Sequence, residues 1–225
     1  MNSSLCMLEG NGEKDVLIVS FGGIAKKFAG TPPFEFLRFL HQHFPQYDKH
    51  FYVDVHQQWY HKGIDGFSTN VTETQAYLQN IVRNYKHVLF LGISAGGYAA
   101  ILFGSLLKIN TVIAFIPQTK LRPIENGLTM DDAYLDLRDF ICSTTQYYIY
   151  GQVHSGPTTE SLSQRPKDLR NPSILDETDH HHISHCEHIA DLSNVHLTRI
   201  ENLDLPKMRD NGELYEILRG IFLKI

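Results

Sequence analysis

The residues with the clearest chemical potential are Gly92-Ile93-Ser94-Ala95-Gly96, which match the pattern G-x-S-x-G. They stand between an apolar run, Val88-Leu89-Phe90-Leu91, and a helical stretch from Ala95 to about Leu107. A strand that bends sharply into a helix there exposes the Ser94 hydroxyl above the sheet in strained backbone geometry. Glycines flank it because a side chain at either place would collide with the neighbouring strand or helix. The helix start behind Ser94 offers unpaired N–H groups, Ala95 among them, and a partial positive charge to a developing oxyanion. Phosphate binding, the rival use of such a turn, needs a Lys after the last glycine or three glycines at dinucleotide spacing. Neither is present. The chemistry that fits is attack by a serine on an acyl carbonyl.

The elements that must hold this turn can be read from periodicity. Val16 to Phe21 is a continuous apolar strand stopped by Gly22-Gly23, and Phe34, Leu37, Leu40 and Phe44 recur at helical spacing. Phe51 to Val55 reads as a strand. Thr72 with Gln75 reads as a capping box, ahead of a helix carrying Leu78, Ile81, Val82 and Tyr85. After the serine come a strand at Thr111 to Ile116, a helix at Asp131 to Cys142 and a strand at Tyr147 to Tyr150. A helix at Ile183 to Leu192, a strand at Val195 to Ile200 and a closing helix through Leu214, Ile217, Leu218 and Phe222 complete the chain. Gly151 to Asp179 is rich in Ser, Thr, Pro and Arg with little periodicity, which predicts a long surface loop or small lid. Strands alternating with helices imply an α/β fold, a mostly parallel central sheet with helices on both faces. At 225 residues, with no repeat or linker, residues 1–225 are expected to form a single domain.

The stretch Leu91 to Leu107, LGISAGGYAAILFGSLL, followed by Ala114-Phe115-Ile116-Pro117-Gln118-Thr119, resembles the α/β-hydrolase superfamily. In particular it is similar to hydrolase-like domains found beside bacterial and viral glycosyltransferase and capsule-synthesis modules. PPFEF at Pro32 to Phe36, Asp54, Trp59-Tyr60-His61-Lys62-Gly63 and Arg209 to Leu214 extend the likeness. The resemblance implies Ser94 as nucleophile and an O-acyl ester on a glycan as a plausible substrate class. Phe21-Gly22-Gly23-Ile24 ends the first strong strand, the place from which this fold sends a second backbone N–H into the oxyanion hole, so Gly23, Ile24 and Ala95 are the expected donors.

Chain order in such folds runs serine, acid, histidine. The acid is expected after the Tyr147 strand, where Asp168, Asp176, Glu177 and Asp179 lie, and Asp179 stands nearest the next helix. No histidine occurs in Asn202 to Arg209, where the base is expected. Either the base comes from the cluster His180, His181, His182, His185 and His188, with His182 and His185 as candidates, or the protein is a non-catalytic binding module that has lost its base. Trp59, Tyr60 and His61 are candidates for contacting substrate, against which Trp59 and Tyr60 have core or rim packing as the more ordinary use of such rings. His181 and His185 share a helix face, but no carboxylate completes an H-E-x-x-H pattern, so neither a metal nor a cofactor is expected.

Composition narrows the partners. A net charge of -5 without a basic stripe argues against nucleic acid, and a small-molecule or glycan ester is the expected ligand. The three cysteines, Cys6, Cys142 and Cys186, form no disulfide framework. With no signal-like start and no run of about 18 apolar residues, a cytoplasmic protein without membrane contact is expected.

Overall fold

In the computed structural model of the chain, the described residues are 4–12, 15–24, 34–121, 131–153 and 183–224. Their strands are β1 (Leu5–Leu8), β2 (Val16–Phe21), β3 (Asp48–Tyr52), β4 (His87–Ile93), β5 (Thr111–Phe115), β6 (Gln146–Gln152) and β7 (Val195–Ile200). They form one seven-stranded sheet in the order β1-β3-β2-β4-β5-β6-β7. β1 pairs antiparallel with β3, and every other pairing is parallel. The helices are α1 (Leu37–His43), α2 (Val71–Val82), α3 (Ala95–Leu107), α4 (Ile183–Glu187), α5 (Leu205–Asp210) and α6 (Glu213–Phe222).

The central strands are nearly continuous apolar runs because both faces are covered. All six residues of β2 are buried. Leu17, Val19 and Phe21 face one core with α2, α3 and α4; Ile18 faces the other, with Phe39 and Leu40 of α1, Met208 of α5 and Leu218 of α6. Around Phe21, the rings of Tyr52, Tyr60, Phe90 and Phe103 lie 5.3 to 5.8 Å from its own, in stacked and edge-on contacts. This aromatic knot fixes the end of β2 beside the end of β4, where the site lies. No helix of the described residues is long and apolar enough to cross a membrane.

Three local expectations are corrected. The segment after β5 is not a helix over Asp131 to Cys142 but two 3-10 turns, Asp132–Tyr134 and Leu137–Phe140. Asp131 and Asp136 cap them by accepting from the Ala133 and Arg138 amides, each at 3.0 Å, and this side-chain competition for amides favours short turns over a continuous helix. The capping box of α2 is Asn70 with Glu73, not Thr72 with Gln75: Asn70 Oδ1 accepts the Glu73 amide at 2.8 Å and Glu73 Oε2 accepts the Thr69 amide at 2.8 Å. Strand β3 begins at Asp48 and ends at Tyr52, where the chain leaves for a turn organised by Asp54.

Candidate functional site

Ser94 sits between β4 and α3 with φ 53° and ψ -121°, a left-handed conformation that non-glycine residues avoid. The glycines around it are required by close approach. A Cβ on Gly92 would lie 2.2 Å from the Gly96 carbonyl oxygen, and one on Gly96 would lie 2.0 Å from the Phe21 carbonyl oxygen. The turn is therefore wedged against the end of β2. The Ser94 amide donates to the Phe115 carbonyl at 2.9 Å and the Tyr98 amide donates to the Ser94 carbonyl at 2.9 Å, which locks the backbone on both sides. Ala95 opens α3, so its N–H has no acceptor within the helix.

Gly23 lies across from this turn. A Cβ built there would meet the Ile93 carbonyl oxygen at 2.9 Å and Ser94 Cβ at 3.7 Å, so only a glycine lets the two backbones come this near. Its amide donates to Glu35 Oε2 at 3.2 Å. Burial pushes the Glu35 carboxyl up to about 7, against the Gly23 hydrogen bond, which pulls the other way. Ile24 is 36% exposed at the rim.

Trp59, Tyr60 and His61 lie behind the site and are almost wholly buried. Asp54 builds the loop that carries them: its carboxylate accepts from the amides of His56 at 3.1 Å, Gln58 at 2.7 Å and Tyr60 at 3.0 Å. This holds Gln57, Trp59 and Tyr60 at positive φ. Each of the three side chains then ties a different segment to the site. The Tyr60 hydroxyl reaches the Gly22 and Tyr52 carbonyls at 3.0 and 3.1 Å, which supports the backbone just before Gly23. Trp59 Nε1 donates to Gln118 Oε1 at 2.6 Å, and Gln118 Nε2 donates onward to Ser94 Oγ at 3.4 Å. His61 Nδ1 accepts the Asp131 amide at 3.0 Å, which leaves its Nε2–H to donate to the Tyr98 hydroxyl at 2.8 Å. That pattern needs a neutral imidazole, and burial lowers His61 to about 4.

Gln118 and Glu35 were not singled out by sequence reasoning. Both stand in segments that carry the family resemblance, yet nothing in their spacing marks them. Only folding brings Gln118, 24 residues on in the chain, to the serine.

Asp179 and His182 lie outside the described residues, as do His180 and His181 and most of the expected loop at 151–179. His185 is half-buried on α4, and its backbone carbonyl accepts from the Thr119 hydroxyl, next to Gln118. Ile183, at the start of α4, packs on Gly151 at the end of β6, where a Cβ would meet Ile183 Cδ1 at 2.3 Å. These contacts hold the start of α4 at the C-terminal edge of the sheet. His188 pairs with Asp136 at 2.7 Å, beside a bidentate Arg138–Asp191 pair, and pins the end of α4 to the segment after β5. His196 stacks on Tyr148 near the opposite end of the sheet. Among the described residues no group of His, Cys, Asp and Glu could hold a metal ion.

An open cleft of about 510 Å³ lies at the ends of β4 to β7, lined by Ile93, Ile116, Gln152 and residues 202–207; Ser94 itself does not line it.

No family model matches the chain, and no curated protein matches it. Solved structures do. A mutant of the capsule O-acetyltransferase of Neisseria meningitidis serogroup A, in complex with CoA, aligns over 94% of this chain and 91% of its own, with 14% identity and a TM-score of 0.60. An α/β hydrolase enzyme from the metagenome of sediments of the Mar Chica lagoon, Morocco, aligns over 100% and 96%, with 14% identity and a TM-score of 0.52. An α/β serine hydrolase homologue from Coxiella burnetii aligns over 92% and 88%, with 11% identity and a TM-score of 0.51. At these identities the likeness concerns the path of the chain. With its seven-stranded, mostly parallel sheet and its helices, the chain has the α/β-hydrolase fold.

Proposed function

We propose that this protein is a serine-dependent esterase or acyltransferase acting on an ester, with an O-acylated glycan as the substrate class. The observation that carries the reading is the backbone of Ser94, held at φ 53° and ψ -121° between glycines that leave no space for a side chain. Such strain persists only where surrounding structure enforces it, and it aims the hydroxyl away from the sheet. In the proposed reaction Ser94 Oγ attacks the acyl carbonyl as a base takes its proton. The oxyanion is stabilised by backbone N–H groups from Ala95 and from Gly23 or Ile24, and its collapse expels the alcohol, which recovers the proton from the base. Water or an acceptor alcohol then takes the acyl group by the same steps in reverse.

The base is proposed to be His182 or His185, oriented by Asp179. The anchoring of α4 against Thr119 and Gly151 supports this choice, because it brings the start of that helix to the serine edge of the sheet. Trp59, Tyr60 and His61 are proposed to serve the substrate site from beneath, by fixing its walls. The fold shared with a capsule O-acetyltransferase supports the glycan-ester class.

A fluorophosphonate probe tests the proposal. Rapid labelling of the wild type, abolished in Ser94→Ala, is expected, and His182→Ala or His185→Ala should slow it at least about 100-fold. Labelling that survives Ser94→Ala removes the nucleophile assignment. Absence of labelling in the wild type over hours identifies a binding module instead.

A further inference from the structure

The carboxyl of Glu35, a half-buried residue, is a titratable group that the proposed reaction leaves unused. It enters from the segment before α1, where the Ser20 hydroxyl donates to its backbone carbonyl at 3.0 Å and holds it over the end of β2. Oε2 accepts the Gly23 amide at 3.2 Å. A point one Cβ bond out from Gly23 is 2.9 Å from the Ile93 carbonyl oxygen, 3.6 Å from Oε1 and 3.7 Å from Ser94 Cβ, so the second carboxyl oxygen and the serine flank the same close approach of Gly23 to the end of β4. Oε1 makes no hydrogen bond to a described residue. Around the carboxyl stand the Gly23 amide and the Tyr60 phenol, with which it interacts electrostatically; no cation among the described residues offsets its charge.

An ionised carboxylate on the Gly23 amide would occupy and repel the oxygen that the amide is supposed to stabilise. A neutral acid in the same place does the reverse, since its carbonyl oxygen accepts from Gly23 while its hydroxyl remains free to donate. We propose that Glu35 is a catalytic residue of this site, its neutral carboxyl receiving the Gly23 N–H on Oε2 and donating the Oε1 proton as a hydrogen bond to the substrate's acyl oxygen. The inference rests on the serine-nucleophile reading and refines it, because Gly23 then acts through Glu35. The proton stays on Glu35 throughout. As the Ser94 Oγ–carbon bond forms, the carbonyl electron pair moves to the acyl oxygen and the hydrogen bond shortens; on collapse the pair returns and the alcohol leaves with the proton held by the base. Burial keeps the carboxyl protonated up to about pH 7, where a solvated glutamic acid would have ionised.

The test is the second-order rate constant for p-nitrophenyl acetate and for the fluorophosphonate, measured from pH 5.5 to 8.5 on the wild type, Glu35→Gln, Glu35→Ala and Ser94→Ala. At pH 6, Glu35→Ala is expected to be about 100-fold slower than wild type, while Glu35→Gln, whose amide can still donate, loses only severalfold. Near pH 8.5 only about 3% of a carboxyl titrating near 7 remains protonated, so Glu35→Gln should overtake the wild type there. The proposal is overturned if Glu35→Ala equals or exceeds the wild type at pH 6, which marks the carboxyl as a plug. It is equally overturned if Glu35→Gln is as slow as Glu35→Ala at every pH, which marks a proton-transfer role. Those two results leave the Ser94 reading intact, provided labelling is lost in Ser94→Ala. Wild-type reactivity that does not depend on Ser94 defeats both readings together.

Discussion

Acidification from pH 7.5 to 5 should destabilise the fold through one buried imidazole. His61 is 4% exposed, accepts the Asp131 amide on Nδ1 and donates from Nε2 to Tyr98, so a second ring proton would oppose the Asp131 N–H. Burial lowers its value from 6.5 to about 4. The unfolded chain thus takes up a proton near pH 6.5 that the folded chain refuses until about 4. The His61 contribution is complete above the unfolded value and drains away as pH falls through this window. Integrated from pH 7.5 to 5, the loss is about 2 kcal/mol. Glu35 acts with the opposite sign: its folded value of about 7 exceeds its ordinary 4.5, so ionisation weighs against the fold and the same acidification returns about 2 kcal/mol. The wild type alone would show little. Urea unfolding of wild type and His61→Gln at both pH values isolates the effect, because glutamine can mimic the donor and acceptor without titrating. The stability advantage of the wild type over His61→Gln should shrink by about 2 kcal/mol on going to pH 5. An advantage that stays constant with pH would show that His61 is not held neutral, and the hydrogen-bond assignment would fall with it.

Other consequences are as direct. Ser94→Gly relieves the left-handed strain and should raise stability by about 1 kcal/mol in chemical denaturation while abolishing probe labelling; unchanged or lower stability would contradict an enforced turn. Gly96→Ala places a Cβ 2.0 Å from the Phe21 carbonyl oxygen, where backbone must move, and should cost at least about 2 kcal/mol along with reactivity. Gln118→Leu strands the buried Trp59 N–H and removes the donor to Ser94 Oγ; the expected loss is about 1–3 kcal/mol, visible as a lower thermal midpoint and as slower labelling. Asn70→Ala removes the cap of α2, an element that carries no residue of the proposed site, and should cost about 1 kcal/mol with labelling unaffected.

The sequence by itself determined the elements whose signals are local. β2, α3 and β7 begin and end where periodicity places them, and the serine turn is legible because its glycines and its position between an apolar strand and a helix are adjacent in the chain. Less local elements escaped. The four-residue β1 has no pattern strong enough to mark it and exists because β3 offers it an edge; the short α5 was likewise invisible. The placing of Ser94 and Ala95 at a strand-to-helix turn, with Gly23 close by, was legible because backbone approach demands small residues or a helix start at fixed places. Trp59, Tyr60 and His61 were legible as a cluster, and packing was the ordinary expectation for the first two, but their partners were not legible, since these come from the Asp54 turn and from four other segments. Gln118 and Glu35 acquire meaning only in three dimensions. A glutamine or glutamate is ordinarily a solvated side chain, and only the folded sheet edge turns these two inward, Gln118 to bridge Trp59 Nε1 and Ser94 Oγ and Glu35 to accept the Gly23 amide.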